Sequence, residues 1–269
     1  MPGGSDGPWV TPPLDGIQFD HLGPSRDYLI DMSHIYEQSV YTNVHANATE
    51  WEIVDEKDSE PYLPIRKEPL KVTLGVKEQQ TTTIPTFGSI KLDDYLQYKK
   101  GYVINTGGSI WGLDFAPKIN DTSPTTQYIA VAGYKGTIDE HYYLNEIQEA
   151  GTYKNYIQIW KCKLSTKEEP EDPVLVLCLF HSYGVIHDMK WCPYGAYEEL
   201  ENGAKDELPK LGILSFVCGD NTIRTIVVPH PDAVKSQMVG NQDVSSTTYQ
   251  SLYVQRDQFQ NDLSKLGWA

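Results

Sequence analysis

The segment SIWGLDFAP (Ser109–Pro117) returns as VIHDMKWCP (Val185–Pro193), 76 residues further on, and this return decides the fold. Ile110 answers to Ile186, Leu113 to Met189, Phe115 to Trp191 and Pro117 to Pro193. Each copy alternates apolar and polar residues, the period-two signature of a half-buried strand. Each ends in a proline, which cannot donate to a sheet ladder. Outward from the first copy, YIAVAG (Tyr128–Gly133) is an apolar strand closed by glycine, and NYIQIWKCKL (Asn155–Leu164) alternates again. VLVLCLF (Val174–Phe180) is a fully apolar fourth strand. Turn or loop sequence separates each pair, so the four predict an antiparallel meander with no helix between them. After the second copy, LGILSFVCG (Leu211–Gly219) answers the second strand and DNTIRTIVV (Asp220–Val228) the third. The offset grows to 86 residues at the glycine because loops are inserted at Tyr134–Lys154 and Tyr194–Lys210.

Composition agrees with many short strands. The 269 residues can bury a real core. The 18 Tyr, 6 Trp, 21 Gly and 17 Pro suit strands and turns better than long helices. A net charge of −15, spread along the chain without a basic run longer than two residues, argues against DNA or RNA binding by this chain itself. The four cysteines (Cys162, Cys178, Cys192, Cys218) lie far apart with no C-x-x-C pair, which argues against zinc and for an intracellular setting. No signal-peptide pattern opens the sequence, and its longest apolar run, Val174–Phe180, is too short to cross a bilayer.

Four segments follow from these signals. Residues 1–16 are Gly/Pro-rich and read as a flexible N-terminus, and 17–105 as an N-terminal extension with some strands. Within it, Trp51–Val54 and Leu70–Val76 alternate, whereas Leu92–Lys100 suits a short helix or an irregular turn. Residues 106–232 carry the repeated strands, and 233–269 are a polar tail or the start of a further unit around SLYVQRDQF (251–259).

A four-stranded unit whose first strand reads apolar-x-x-apolar-x-aromatic-small-Pro resembles the WD40 repeat, which spans about 40–45 residues once insertions are set aside. Trp160 stands where that repeat has its third-strand Trp, and Asp220 lies in the turn between second and third strands. Trp111, Phe115, Pro117, Trp191 and Pro193 complete the signature positions. The fold expected is therefore all-β, a WD40-type β-propeller that is incomplete, with about two clear blades and room for more before residue 105. An open array leaves edges and apolar faces bare, so a fragment of a longer protein, or completion by a partner, is expected. The copies depart from the repeat: Ile226 replaces the second Trp. Asn105-Thr106 and His181-Ser182 stand where Gly-His is usual. The His–Ser–Asp–Trp hydrogen-bond network is thus incomplete, and stability is expected to rest more on apolar packing.

The stretches INTGGSIWGLDFAP, YIQIWKCKL, HSYGVIHDMKWCPYGAY and GDNTIRTIVVPHPD together resemble the WD-repeat subunit of transcription factor IIIC, the fungal 91 kDa-type or animal beta subunit, over about residues 104–232. That resemblance implies a nuclear, non-enzymatic scaffold in the module that recognises the B-box of tRNA genes. Its implied partners are other protein subunits, chiefly the large DNA-binding subunit and a second propeller subunit. DNA would be met mainly through partners, and no cofactor or membrane is implied. The alternative is a WD-repeat adaptor of another pathway, such as ubiquitin ligation or trafficking.

Catalytic, cofactor and metal sites are not expected. His187 and Asp188 are adjacent in a strand and point to opposite faces. Asp139-Glu140-His141 lacks a second ligand group at suitable spacing. Gly107-Gly108 and Gly133-x-x-Gly136 are followed by no helix start with Lys-Ser/Thr. His230-Pro231-Asp232 matches the J-domain tripeptide but follows a strand, not a helix. Tyrosines crowd the insertions, and Tyr134, Tyr142, Tyr143 and Tyr153 in the first, with Tyr194 and Tyr197 in the second, are the candidate protein-interaction residues. They could equally serve to cover neighbouring blades.

Overall fold

The computed structural model describes residues 41–97, 99–117, 126–136, 142–143, 146–163, 171–200, 207–239 and 252–255. Short elements come first. These are β1 (Ala46–Asn47), β2 (Glu52–Ile53), the one-turn helix α1 (Glu56–Ser59) and two hairpins. The hairpins are β3 (Leu70–Leu74) with β4 (Gln80–Ile84), and β5 (Ser89–Lys91) with β6 (Tyr102–Ile104). Leu92–Asp94 makes a single 3-10 turn.

The meander follows as β7 (Ser109–Phe115), β8 (Thr126–Tyr134), β9 (Asn155–Lys163) and β10 (Glu171–His181), each antiparallel to the next. The second unit holds β11 (Ile186–Trp191), β13 (Lys210–Cys218) and β14 (Ile223–Pro229), with the two-residue β12 (Glu207–Leu208) paired to β1. One helical turn, α2 (Pro231–Val234), follows and runs on into a further turn at Lys235–Val239, and β15 (Leu252–Gln255) is the last described strand. The fold is all-β and is that of an incomplete propeller: a four-stranded first blade and a three-stranded second blade.

The repeat extends to a defect. In both blades the ladder between first and second strands slips at the same place, at Ile110/Gly112 and at Ile186/Asp188. A bulge inserts one residue, so side chains on either side of it share a face that strict alternation would separate. Gly133, at the end of β8, sits beside the first bulge, where a Cβ would lie 2.1 Å from the Ser109 carbonyl oxygen. Only glycine allows that backbone approach.

The blades stack face to face. Tyr128, Ala130, Ala132, Ile157, Ile159, Leu177 and Leu179 of the first blade meet Ile186, Met189, Trp191, Leu214, Phe216 and Ile226 of the second in one buried cluster. Burying each large apolar side chain is worth about 1.5–3 kcal/mol, which makes this cluster the dominant attractive term in the pair. The small residues Ala130, Ala132 and Gly112 let the backbones close, and a Cβ on Gly112 would touch the Met189 thioether.

The described residues before 105 supply covering surface. Trp51 enters the inter-blade core, and β1 ties the chain to the second blade through β12. Tyr62 then stacks on Phe180 on the opposite face of the first blade, with centroids 4.5 Å apart and planes within 6°. Leu63, Phe87 and Ile104 pack onto that same face around Trp160 and Cys178. Val44 reaches the far face of the second blade at Ile213. Both apolar faces that an open pair would expose are thus partly capped from within the chain. β15, from the SLYVQRDQF segment, joins the outer edge of the first blade, parallel to β10 and antiparallel to β2.

The expectation that the buried network is incomplete, leaving apolar packing to carry the load, is corrected in part. The Trp160 indole N–H donates to Gln158 Oε1 at 2.8 Å, and Gln158 Nε2 donates to the Thr106 carbonyl at 2.8 Å. The Tyr156 hydroxyl donates to the same carbonyl at 3.1 Å. A glutamine and a main-chain carbonyl thus do what the missing His and Ser would do. All members are buried, where a complete polar chain stabilises and a broken one is costly.

Candidate protein-interaction site

The first insertion begins where β8 ends. Tyr134, almost fully buried, stacks on Tyr153 at 5.6 Å, and Tyr142 sets its ring edge-on to both, at 6.4 and 5.9 Å. Burial pushes the Tyr153 phenol up from its ordinary pKa, and the Lys135 ammonium lies 5.2 Å from the centre of its ring. Tyr143 projects outward and is 77% exposed, whereas Tyr142 is 47% exposed. The four tyrosines therefore divide: Tyr134 and Tyr153 form the base, and Tyr142 and Tyr143 form the outer rim.

The same insertion bridges the blades. Gln148 donates its backbone N–H to the Gly219 carbonyl at 2.9 Å and accepts the Val185 N–H on Oε1 at 2.6 Å. Its side chain fills space that a Cβ on Gly184 or Gly219 would occupy. Beside it, Trp111 of β7 packs its ring on His187 of β11 at 5.4 Å. Burial lowers the His187 pKa and favours the neutral imidazole. Trp111, Tyr134, Tyr142, Tyr143, Glu146 and His187 wall a shallow pocket of about 250 Å³ including its open mouth.

The second insertion's tyrosines lie at the other end of the strands. Tyr197 meets His230 edge-on at 6.2 Å, and Tyr128, near the start of β8, meets the same imidazole at 5.4 Å. The Tyr194 carbonyl accepts from the Cys192 thiol at 3.4 Å. The six tyrosines thus form two groups at opposite ends of the blade pair rather than one surface.

His230 of the J-like tripeptide is the buried N-cap of α2, with Nδ1 accepting the Asp232 N–H at 3.3 Å. Burial lowers its pKa to about 4. His181, stacked on Tyr183, is held at about 3, first by burial and then by the Arg224 guanidinium. That guanidinium lies 3.6 Å above the Tyr183 ring and binds Asp220 at 2.9 Å. Asp220 also accepts the Thr222 N–H, closing the turn in which Asn221 takes a left-handed conformation at φ 62°.

Of the other signature positions, Trp160 and Trp191 are buried, Phe115 and Pro193 are exposed, and Trp111 and Pro117 lie between. Among the described residues, no three His, Cys, Asp or Glu side chains come close enough to hold a metal ion. Asp139-Glu140-His141 lies outside the described residues. Glu146, Gln148 and His187 escaped the sequence reading as members of this pocket. Their convergence depends on the stacking of two blades, and only the tyrosine content of the insertion hinted at it.

No family model matches the chain. It is 28% identical to the human protein named general transcription factor 3C polypeptide 2 over 201 residues, which is 71% of this chain and 21% of that protein. The Pongo abelii protein of the same name matches to the same extent. Transcription factor tau subunit sfc6 of Schizosaccharomyces pombe is 28% identical over 134 residues, 49% of this chain and 19% of its own. The chain spans about a fifth of the length of these curated relatives. The chain is thus similar in sequence to proteins named as a polypeptide of general transcription factor 3C and as a subunit of transcription factor tau.

Proposed function

We propose that this protein is a nuclear, non-enzymatic scaffold subunit of transcription factor IIIC that helps assemble the module recognising the B-box of tRNA genes. The observation that carries this reading is the similarity, across 71% of the chain, to a protein named as a polypeptide of general transcription factor 3C. Residues 106–232 provide the blade pair, 17–105 are an N-terminal extension with some strands, and 233–269 a polar tail or the start of a further blade. The partners are the large DNA-binding subunit and a second propeller subunit. With a net charge of −15 and no long basic run, this chain meets DNA through them. Tyr142 and Tyr143 are its interaction residues at one end of the blades. Tyr134 and Tyr153 support that surface from beneath, and Tyr194 and Tyr197 lie at the other end.

Chromatin immunoprecipitation of the tagged protein tests this. Occupancy should concentrate on tRNA genes and fall at a reporter gene whose B-box is mutated. Occupancy indifferent to the B-box would overturn the reading.

A further inference from the structure

We propose that the pocket at the first insertion receives the ammonium of an unmodified lysine from an extended segment of a protein partner, with Glu146 as its counter-charge. This rests on the reading of the first insertion as an interaction loop, and it names the chemistry that loop recognises.

Three features point to a cation. Aromatic faces carry negative quadrupole potential and attract an ammonium within about 6 Å of a ring centre. Four such rings, those of Trp111, Tyr134, Tyr142 and Tyr143, wall the pocket. The fold already uses this chemistry next door, with Lys135 Nζ 5.2 Å from the Tyr153 ring centre and Lys154 Nζ 4.9 Å from that of Tyr62. Glu146 is oriented for the task. Its Oε2 accepts the Tyr143 N–H at 3.0 Å while its own N–H donates to the Tyr143 carbonyl at 2.9 Å. The carboxylate therefore stays beside the rings. The one imidazole lining the wall, His187, has its pKa lowered by burial, which favours the uncharged form.

Size and charge select the carrier. The enclosed space is only about 10 Å³, room for roughly one water-sized group, so the tip of a side chain fits and a whole ligand does not. Gln148 also lines the pocket, is 5% exposed, and has spent Oε1 on Val185. Its Nε2 is buried with no hydrogen-bond partner among the described residues. The chain's charge of −15 complements a basic partner segment. An N–H-bearing ammonium is favoured over a quaternary one because only the former can hydrogen-bond the Glu146 carboxylate.

The test is fluorescence polarisation with the 269-residue chain and labelled Gly/Ser peptides carrying lysine, acetyl-lysine or norleucine at the same positions. The lysine peptide should bind, and the other two should bind several-fold more weakly. Tyr143→Ala should weaken the lysine peptide roughly two- to fivefold, the range expected for one exposed cation–π contact, while Tyr143→Phe keeps the ring and the binding. Glu146→Gln should weaken it by a similar factor. Both side chains are exposed, so the variants should melt like the native chain. Equal binding of the norleucine peptide, or no effect of Tyr143→Ala, overturns the proposal. Capture of partner subunits by a Tyr142→Ala/Tyr143→Ala chain separates the two ideas. If capture drops while the peptides do not discriminate, lysine recognition fails and the interaction loop stands; if neither changes, both fall.

Discussion

Trp191 and Asp114 join the two blades through a pair of hydrogen bonds. The Trp191 backbone N–H donates to Asp114 Oδ2 at 2.9 Å, and its indole N–H donates to the Asp114 carbonyl at 3.2 Å. One strand end thus fixes the other in register across the stack. Asp114→Ala leaves a buried donor unsatisfied, so it should lower unfolding stability by about 1–3 kcal/mol, read as a lower denaturant midpoint at unchanged slope.

The paired positions of the repeat differ in burial. Ile186, Met189 and Trp191 are buried against the first blade, whereas their counterparts Ile110, Leu113 and Phe115 are each nearly half exposed. Identical face, different neighbour: the second blade packs on the first, and the inner part of the first blade's opposite face has no such cover among the described residues. Met189→Ala should therefore cost about 2–5 kcal/mol, and Leu113→Ala much less, in parallel chemical denaturation. Equal losses would contradict the stacking order.

The substitute network gives a third expectation. Gln158→Ala removes the link between the Trp160 indole and the Thr106 carbonyl and should destabilise by about 1–3 kcal/mol. Trp160→Phe, which removes only the N–H and part of the ring, should cost less once Gln158 is already absent. A double-mutant cycle reads that coupling directly.

The strands from Ser109 onward were legible because each is long, alternates or is continuously apolar, and is bounded by Gly or Pro. SIWGLDFAP and its echo VIHDMKWCP show the repeat without any knowledge of contacts. The network was not legible, because Gln158 and Thr106 meet only when β9 lies beside the segment 52 residues earlier. Nor was the covering role of residues 41–104. Tyr62 carries no local signal that it will stack on Phe180, which arrives over a hundred residues later. The tyrosines were visible as a compositional excess, but their division into two opposite groups follows from strand direction. β8 ends at Tyr134, whereas β11 ends just before Tyr194.

Acid should weaken the fold. The pKa of His181 falls to about 3 and that of His230 to about 4, both mainly by burial, while the unfolded chain's histidines protonate near the ordinary 6.5. Between those limits the unfolded state binds more protons, so stability rises with pH and levels off above about 6.5. Each histidine contributes up to about 1.4 kcal/mol per pH unit as pH falls from about 6 towards 4. Melting curves from pH 7 to pH 5 should show this loss, and His230→Gln should make the dependence shallower.

Affinity capture from nuclei is the most direct measurement of the central claim. The tagged native chain and the Tyr142→Ala/Tyr143→Ala variant would be purified in parallel, and their companions identified by mass spectrometry. The account predicts that the native chain brings down the other transcription factor IIIC subunits, led by the large DNA-binding one. The variant should recover several-fold less at an unchanged melting temperature. Recovery of ubiquitin-ligase or coat components instead, with no transcription factor IIIC subunit, would contradict the functional assignment while leaving the blade pair intact.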